Sequence, residues 1–176
     1  MSTYERYRRS GLDLSALGLG RGPGRSDDIS TPIGAAIFAW AGVDGIHYGR
    51  VRGCGEMIFA FSPANAAGEN VHPLAENFDD FLRLVLAAGG ADALEQAWAW
   101  DEAQFDAYLA QYPPTPAQEA ALAAIRDTFG LTPMARPFAY LKTVQAGFDG
   151  SQLKFKREYR DCLAHQAPAL ERPPQP

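Results

Sequence analysis

The feature that most constrains the fold of this chain is an Asp44-Gly45 pair between two short apolar runs, residues 36–40 and 46–51. Asp-Gly in this setting is a strong signal for a β-hairpin, because both residues tolerate the positive φ angles of a tight turn. Residues 57–61 are apolar on both faces, which is typical of a central strand. Residues 70–74 predict a short edge strand that ends at Pro73.

The second half of the chain has the periodicity of helices. Apolar residues of 78–88 recur at helical spacing behind Asn77, a good N-cap, and residues 137–145 form a last amphipathic segment. Asp92 and Glu95 have the spacing of a capping box, and Thr115 is followed by proline at the first helical position. We therefore predict an α+β fold, with a mixed or antiparallel sheet from the first half packed against helices of the second half.

Length and composition predict one domain. The 176 residues suffice for a single ordinary domain. We expect a flexible N-terminal segment over residues 1–30, where glycines alternate with other residues, a single α+β domain over residues 31–165, and a disordered, proline-rich tail over residues 166–176. The chain begins without the apolar stretch of a signal peptide and has no apolar run long enough to span a bilayer, so we expect a cytoplasmic protein.

Negative charge is concentrated in the middle of the chain. Residues 65–129 contain eleven acidic and two basic side chains, whereas residues 1–25 contain two acidic and five basic ones. An acidic surface repels nucleic acid and attracts basic proteins, so the expected partner is a basic protein and not a nucleic acid or a membrane. Solvation of a helix surface is the alternative interpretation of the same charges.

The motifs of common cofactor sites are missing from the sequence. The glycine-rich stretch 18–24 lacks the Gly-Lys-Ser/Thr ending of a phosphate-binding loop and the strand and helix that flank a dinucleotide fingerprint. Asp44, His47, Glu56, Glu69 and His72 lie near the hairpin, but none has the close pair spacing of a zinc ligand set. We therefore expect no cofactor and no metal, and two reduced thiols at Cys54 and Cys162.

An enzymatic alternative remains open at this stage. Cys54 is flanked by glycines, and His47 or His72 is a candidate base for its thiol, with Asp44 as the group that orients the base. A metal site at His47 and His72 is the second form of this alternative. Both rest on residue types alone and require that the side chains meet in space.

Four stretches of the chain resemble the SUKH superfamily, which includes fungal regulators of cell-wall glucan synthesis and bacterial immunity proteins that neutralise toxins. The stretches are residues 42–48, 56–63 and 71–75, and the helix start Asn77-Phe78-Asp79-Asp80-Phe81-Leu82. The resemblance implies a mixed sheet packed on helices, and a binding activity with neither catalytic residues nor cofactor. For bacterial relatives it implies a toxin domain as the partner, and an acidic binder suits a basic toxin.

The sequence thus predicts a non-enzymatic protein-binding module, either an immunity protein or a regulator of glucan synthesis. An acidic rim with a tryptophan anchor is the predicted binding surface, since tryptophan is enriched where binding energy concentrates. Its candidate residues are Asp79, Asp80, Trp100, Asp101, Glu102 and Asp106.

Overall fold

The computed structural model of the chain describes the backbone of residues 1–170 and the side chains of residues 1–165. Four strands form one antiparallel sheet in the order β1-β2-β3-β4, so each strand pairs with its neighbours in sequence. The strands are β1 (Ala35–Trp40), β2 (His47–Val51), β3 (Ile58–Phe61) and β4 (Val71–Ala75). The predicted α+β class, with an antiparallel sheet from the first half, is confirmed.

The hairpin between β1 and β2 forms at the predicted Asp-Gly pair. Ile46 N–H donates to the Val43 carbonyl at 3.0 Å, and the two residues between them have positive φ, 49° at Asp44 and 68° at Gly45. These are the signs of φ that a type I′ turn requires. The prediction that Pro73 ends the last strand is wrong, because β4 continues to Ala75 and Phe59 pairs with Pro73. Proline is tolerated there since β4 is an edge strand.

Within residues 1–170, seven α-helices precede or follow the sheet. They are α1 (Thr3–Ser10), α2 (Phe78–Ala88), α3 (Asp92–Gln96), α4 (Glu102–Gln111), α5 (Pro116–Phe129), α6 (Pro137–Gly147) and α7 (Arg157–Leu170). The predicted caps at Asn77 and Thr115 accept the backbone N–H groups of Asp80 and Gln118. The predicted capping box at Asp92 is wrong, because Asp92 lies inside the first turn of α3 and no side chain caps that helix.

The two faces of the sheet pack against different parts of the chain. Alternation along the strands places Tyr48 and Ala60 on the face that packs against α2, where Phe81 and Leu82 are fully buried. The opposite face carries Phe59 and Phe61, which pack in a smaller cluster with Phe148 and other residues of the C-terminal segment. Helix α6 packs against β4.

The N-terminal segment is part of the core, which differs from the predicted flexible segment over residues 1–30. Leu14, Leu17 and Leu19 are each at most 2% exposed and lie in the main hydrophobic cluster. Burying a leucine contributes about 1.5–3 kcal/mol, which offsets the conformational entropy that the glycines lose. Gly20 exchanges two backbone hydrogen bonds of 2.8 Å with Trp40, so the segment continues the sheet beyond β1.

The predicted domain boundaries at residues 31 and 165 also differ from the structure. The domain already includes α1, whose Tyr7 packs against Phe38 and Phe78. At the other end, α7 continues to Leu170, and residues 171–176 of the predicted tail lie outside the described residues. None of the described helices is long and apolar enough to cross a membrane.

Candidate functional site

A cleft of about 650 Å³ lies at one end of the sheet. Its walls come from residues 15–18 of the N-terminal segment, the β1–β2 turn, residues 62–65 after β3, and the chain from α3 to α4. Three carboxyl groups and four large aromatic rings line it, and among the described lining residues there is no lysine, arginine or histidine. These residues are Asp44, Asp92 and Glu95 with Tyr48, Trp98, Trp100 and Tyr108. Below we call this site the acidic cleft.

Asp44 reaches the acidic cleft because of the hairpin turn. Its φ of 49° lies in the left-handed region, which aspartate tolerates better than most residues. The residue that makes the turn possible therefore also places a negative charge at the mouth of the cleft. The Asp-Gly pair predicts the turn from the sequence. Only the fold brings the Asp44 carboxylate to the cleft.

Helix α3 supplies the other two carboxyl groups. Asp92 and Glu95 are three residues apart, so they project from the same side of the helix. The start of α3 is tied to the N-terminal segment, because Ala91 N–H donates to the Leu17 carbonyl at 2.9 Å. Gly18, with a φ of 73°, leaves room for the Asp92 carboxylate: a Cβ atom at this position would lie 2.8 Å from Asp92 Oδ1.

Glu95 is the most buried acid of the cleft, with 6% of its surface exposed. The Ser62 hydroxyl donates to Glu95 Oε1 at 2.5 Å, and no group in the described part of the chain donates to Oε2. Burial raises the pKa of Glu95, the Ser62 hydrogen bond lowers it in part, and the negative charges of Asp92 and Asp44 raise it further. Ionisation of Glu95 therefore costs more free energy in the folded protein than it does in water.

Asp92 is exposed as a whole residue, but its carboxyl group lies against the wall of the cleft. Partial desolvation raises the pKa of Asp92. Two neighbouring carboxylates with raised pKa values, and no cationic side chain lining the described cleft, form a site whose negative charge is unbalanced. A positively charged group that entered the cleft would relieve that imbalance.

Aromatic rings form the rest of the wall. Trp100 and Tyr108 pack at 5.0 Å between ring centroids, and Tyr112 continues the row at 4.8 Å from Tyr108. The His72 ring stacks on the Trp98 indole, with 4.5 Å between ring centroids and an interplanar angle of 7°, and this contact holds the indole in place. Such faces attract cations through their π systems as well as through apolar contact.

Tyr48 closes the inner end of the cleft. Its side chain is fully buried and its hydroxyl oxygen lies 3.5 Å from the Ala91 carbonyl. Burial, followed by the charges of Asp92 and Glu95, raises the pKa of Tyr48 well above its ordinary value. The phenol therefore stays neutral and lines the cleft as a polar, uncharged group.

The structure divides the predicted acidic rim into two regions. Trp100 lines the acidic cleft, and Asp101, Glu102 and Asp106 follow it at the start of α4. Asp101 is the N-cap of α4 and accepts the Gln104 N–H at 2.8 Å, so α4 begins anew after Trp100. The carboxylates of α4 are exposed and adjoin the cleft through Trp100.

Asp79 and Asp80 lie elsewhere, in a separate groove beside α1 that shares no lining residue with the acidic cleft. Asp80 accepts hydrogen bonds from the Tyr140 hydroxyl at 3.0 Å and from Arg83 at 3.3 Å. These contacts join α2 to α6 and give Asp80 a structural role. Asp79 and Asp80 therefore line a different groove from Trp100, and their part in a binding surface stays a prediction.

The histidines of the enzymatic alternative are not brought together. His47 pairs with Phe61 and His72 with Ala60, so the two side chains project from opposite faces of the sheet. His47 hydrogen bonds to the Thr31 hydroxyl at 3.0 Å and to the Gly45 carbonyl at 2.7 Å. His72 hydrogen bonds to the Glu69 carbonyl at 2.8 Å. A shared metal site at His47 and His72 is therefore excluded by the fold.

Cys54 is buried in the smaller hydrophobic cluster with Val51, Phe59 and Phe61. Burial raises the pKa of the Cys54 thiol, which is the reverse of what a nucleophilic thiolate requires. Within the described residues, no group of three or more histidine, cysteine, aspartate or glutamate side chains is placed to hold a metal ion. The geometry thus supports neither form of the alternative based on these residues.

The buried histidines predict acid sensitivity of the fold. Burial lowers the pKa of His47 and of His72, so the unfolded chain binds more protons than the folded one once the pH falls below the ordinary histidine value of about 6.5. We expect the free energy of unfolding to fall with pH below that point, by at most about 1.4 kcal/mol per pH unit for each histidine. Urea unfolding between pH 7.5 and 5 measures this slope.

The variant His47→Gln isolates the contribution of His47 to this slope, because it removes the titrating group and retains hydrogen-bonding capacity. The slope of this variant is expected to be shallower than that of the unmodified protein. Glu95 and Asp92 act in the opposite direction, since acids with raised pKa values stabilise the fold as the pH falls. A slope in His47→Gln equal to that of the unmodified protein would contradict the assignment.

The acidic cleft is the feature that sequence reasoning missed. Comparison with known proteins gives no family for the chain: no family model matches it, and neither a curated protein nor a solved structure does. The function must therefore be inferred from the geometry of the cleft and the surface around it.

Proposed function

We propose that the chain is a protein-binding module that recognises a basic surface of another protein, as an immunity protein or a regulator of the SUKH type would. The observation that carries this proposal is the acidic cleft itself, with its three carboxyl groups, its aromatic wall and no basic side chain among its described lining residues. Charge complementarity of this kind accelerates encounter and selects the partner.

The surface beside the cleft extends the same pattern. Glu102 and Asp106 lie on the exposed side of α4, directly after Trp100, and the chain from residue 65 to residue 129 carries eleven acids against two bases. Aromatic anchors surrounded by a charged rim are typical of protein interfaces. We infer that the cleft mouth and the start of α4 form one binding surface, and that Trp100 lies at its centre.

A charge-neutral variant of this surface tests the proposal. Asp101→Asn with Glu102→Gln removes two negative charges and keeps the fold, because asparagine caps a helix as well as aspartate does. Reversal to lysine at Asp101 would confound the result by removing the cap. We expect the association rate constant with a basic toxin domain encoded beside this chain to fall about tenfold at low salt, and its salt dependence to weaken.

Stopped-flow association and titration calorimetry measure these two quantities. The matched control is Asp127→Asn, which removes one charge from an exposed position on α5 outside the cleft. Association that is unchanged in the double variant, or reduced equally in the control, would contradict the proposed surface.

A further inference from the structure

We infer that the acidic cleft is a receptor for one arginine side chain of the partner, whose guanidinium group is held by Glu95 and packs against the aromatic wall. This inference rests on the proposed function and names the chemistry that the same surface recognises. Each step below uses a different property of the cleft.

The first step concerns the buried charge. Glu95 is 94% buried as a residue, Ser62 donates to one of its two carboxylate oxygens, and Oε2, which has no donor within the described residues, is open to solvent. A buried carboxylate without a cation destabilises the folded state, so its presence indicates a role in binding. An incoming N–H donor with a positive charge replaces water at Oε2 and supplies the counter-charge that the cleft lacks.

The second step concerns the shape of the cation. The rings of Trp98, Trp100 and Tyr108 line the same cleft as the carboxylates. A guanidinium group is planar, stacks on aromatic faces and presents several N–H donors in one plane, whereas an ammonium group is a compact point charge with strong hydration. A wall of rings beside two carboxylates therefore favours arginine over lysine.

The third step concerns size. The volume of about 650 Å³ is within the range of small-molecule sites and exceeds one side chain. An arginine with its flanking backbone fits this space, and Asp44 and Asp92 at the mouth remain available to the backbone N–H groups on either side. The cleft is thus suited to an arginine displayed on a loop or an extended segment.

Titration of the full-length chain with N-acetyl-L-arginine amide tests the inference, with tryptophan fluorescence of Trp98 and Trp100 and calorimetry as readouts. We expect a dissociation constant in the range of about 1 mM, appropriate to one side chain without the rest of the interface. N-acetyl-L-citrulline amide, a neutral isostere, is expected to bind at least about tenfold more weakly, and N-acetyl-L-lysine amide to bind more weakly than arginine.

The variant Glu95→Gln retains an acceptor for the Ser62 hydroxyl and removes the charge. We expect it to weaken binding of the arginine probe at least about tenfold and to raise the thermal midpoint, because the cost of the buried charge disappears. A merely structural glutamate would give a lower midpoint instead. Asp92→Asn, at a more exposed position, provides a second test if Glu95→Gln fails to fold, and Asp127→Asn, at an exposed position on α5, is the control outside the cleft.

Several outcomes would overturn the inference. They are equal binding of the citrulline or lysine probe, undiminished binding in both cleft variants, or no binding of the arginine probe at 20 times the expected constant, about 20 mM. If the basic partner still binds in a manner that depends on Asp101 and Glu102, the proposed function stands and only the arginine receptor fails. If the arginine probe binds and no basic protein does, the proposed function fails.

Discussion

Leu17→Ala is expected to lower the free energy of unfolding by about 2–5 kcal/mol, the range for deletion of a fully buried leucine. Leu17 has no exposed surface and lies in the main hydrophobic cluster with residues of α2 and α5. Its carbonyl also accepts the N–H of Ala91 at the start of α3. The loss of the side chain would therefore leave a cavity where the N-terminal segment meets the helices.

Urea unfolding followed by circular dichroism measures the effect. Leu12→Ala is the matched control, because Leu12 is only partly buried at the edge of the same cluster and its truncation is expected to cost less. A loss below about 1 kcal/mol for Leu17→Ala, or equal losses for the two variants, would show that the N-terminal segment contributes little to the fold in solution.

Gly22→Ala is expected to destabilise the protein by about 1–3 kcal/mol, the cost of forcing extra volume into a packed site. A Cβ atom on Gly22 would lie 2.3 Å from Cδ1 and 2.7 Å from Nε1 of the Trp40 indole. The indole has little freedom to move away, because its Nε1–H donates to the Pro23 carbonyl at 2.8 Å. The added methyl group must therefore displace the segment from β1.

Gly24→Ala is the control two residues away in the same segment. A Cβ atom there would lie 3.8 Å from its nearest neighbour, the Ile37 carbonyl oxygen, which is ordinary contact. At such a compatible site, replacement of glycine by alanine stabilises a protein by about 0.4–1 kcal/mol through the unfolded state. The two variants are thus expected to shift the urea midpoint in opposite directions, and a shift of the same sign and size would contradict the packing described here.

Local signals in the sequence predicted the elements whose causes are local. The turn at Asp44-Gly45 depends on the φ preferences of those two residues, and the starts of α2 and α5 depend on caps within three residues of Asn77 and Thr115. Such features need no information about distant parts of the chain. They were sufficient to place the sheet in the first half and most helices in the second.

Features that depend on distant residues were not predicted. Asp92 and Glu95 have the spacing of a capping box, but the Glu95 carboxylate instead accepts from Ser62, 33 positions earlier in the chain. From its sequence the glycine-rich segment is predicted to be flexible, because the residue that orders it, Trp40, lies far from it along the chain. The acidic cleft combines four separate stretches of chain, and no periodicity or motif in any one of them indicates that they converge.

The two outer strands of the sheet have a consequence for self-assembly. At the β1 edge, Gly20 and Gly24 form backbone hydrogen bonds with Trp40 and Ile37. At the other edge, β4 contains Pro73 and packs against α6. A strand from a second molecule would therefore find backbone groups of β1 already paired on one side, and on the other an edge that lacks the Pro73 N–H, which disfavours fibril growth from the native state. For the same reason we expect the partner to be recognised by side chains, and not as an added strand of this sheet.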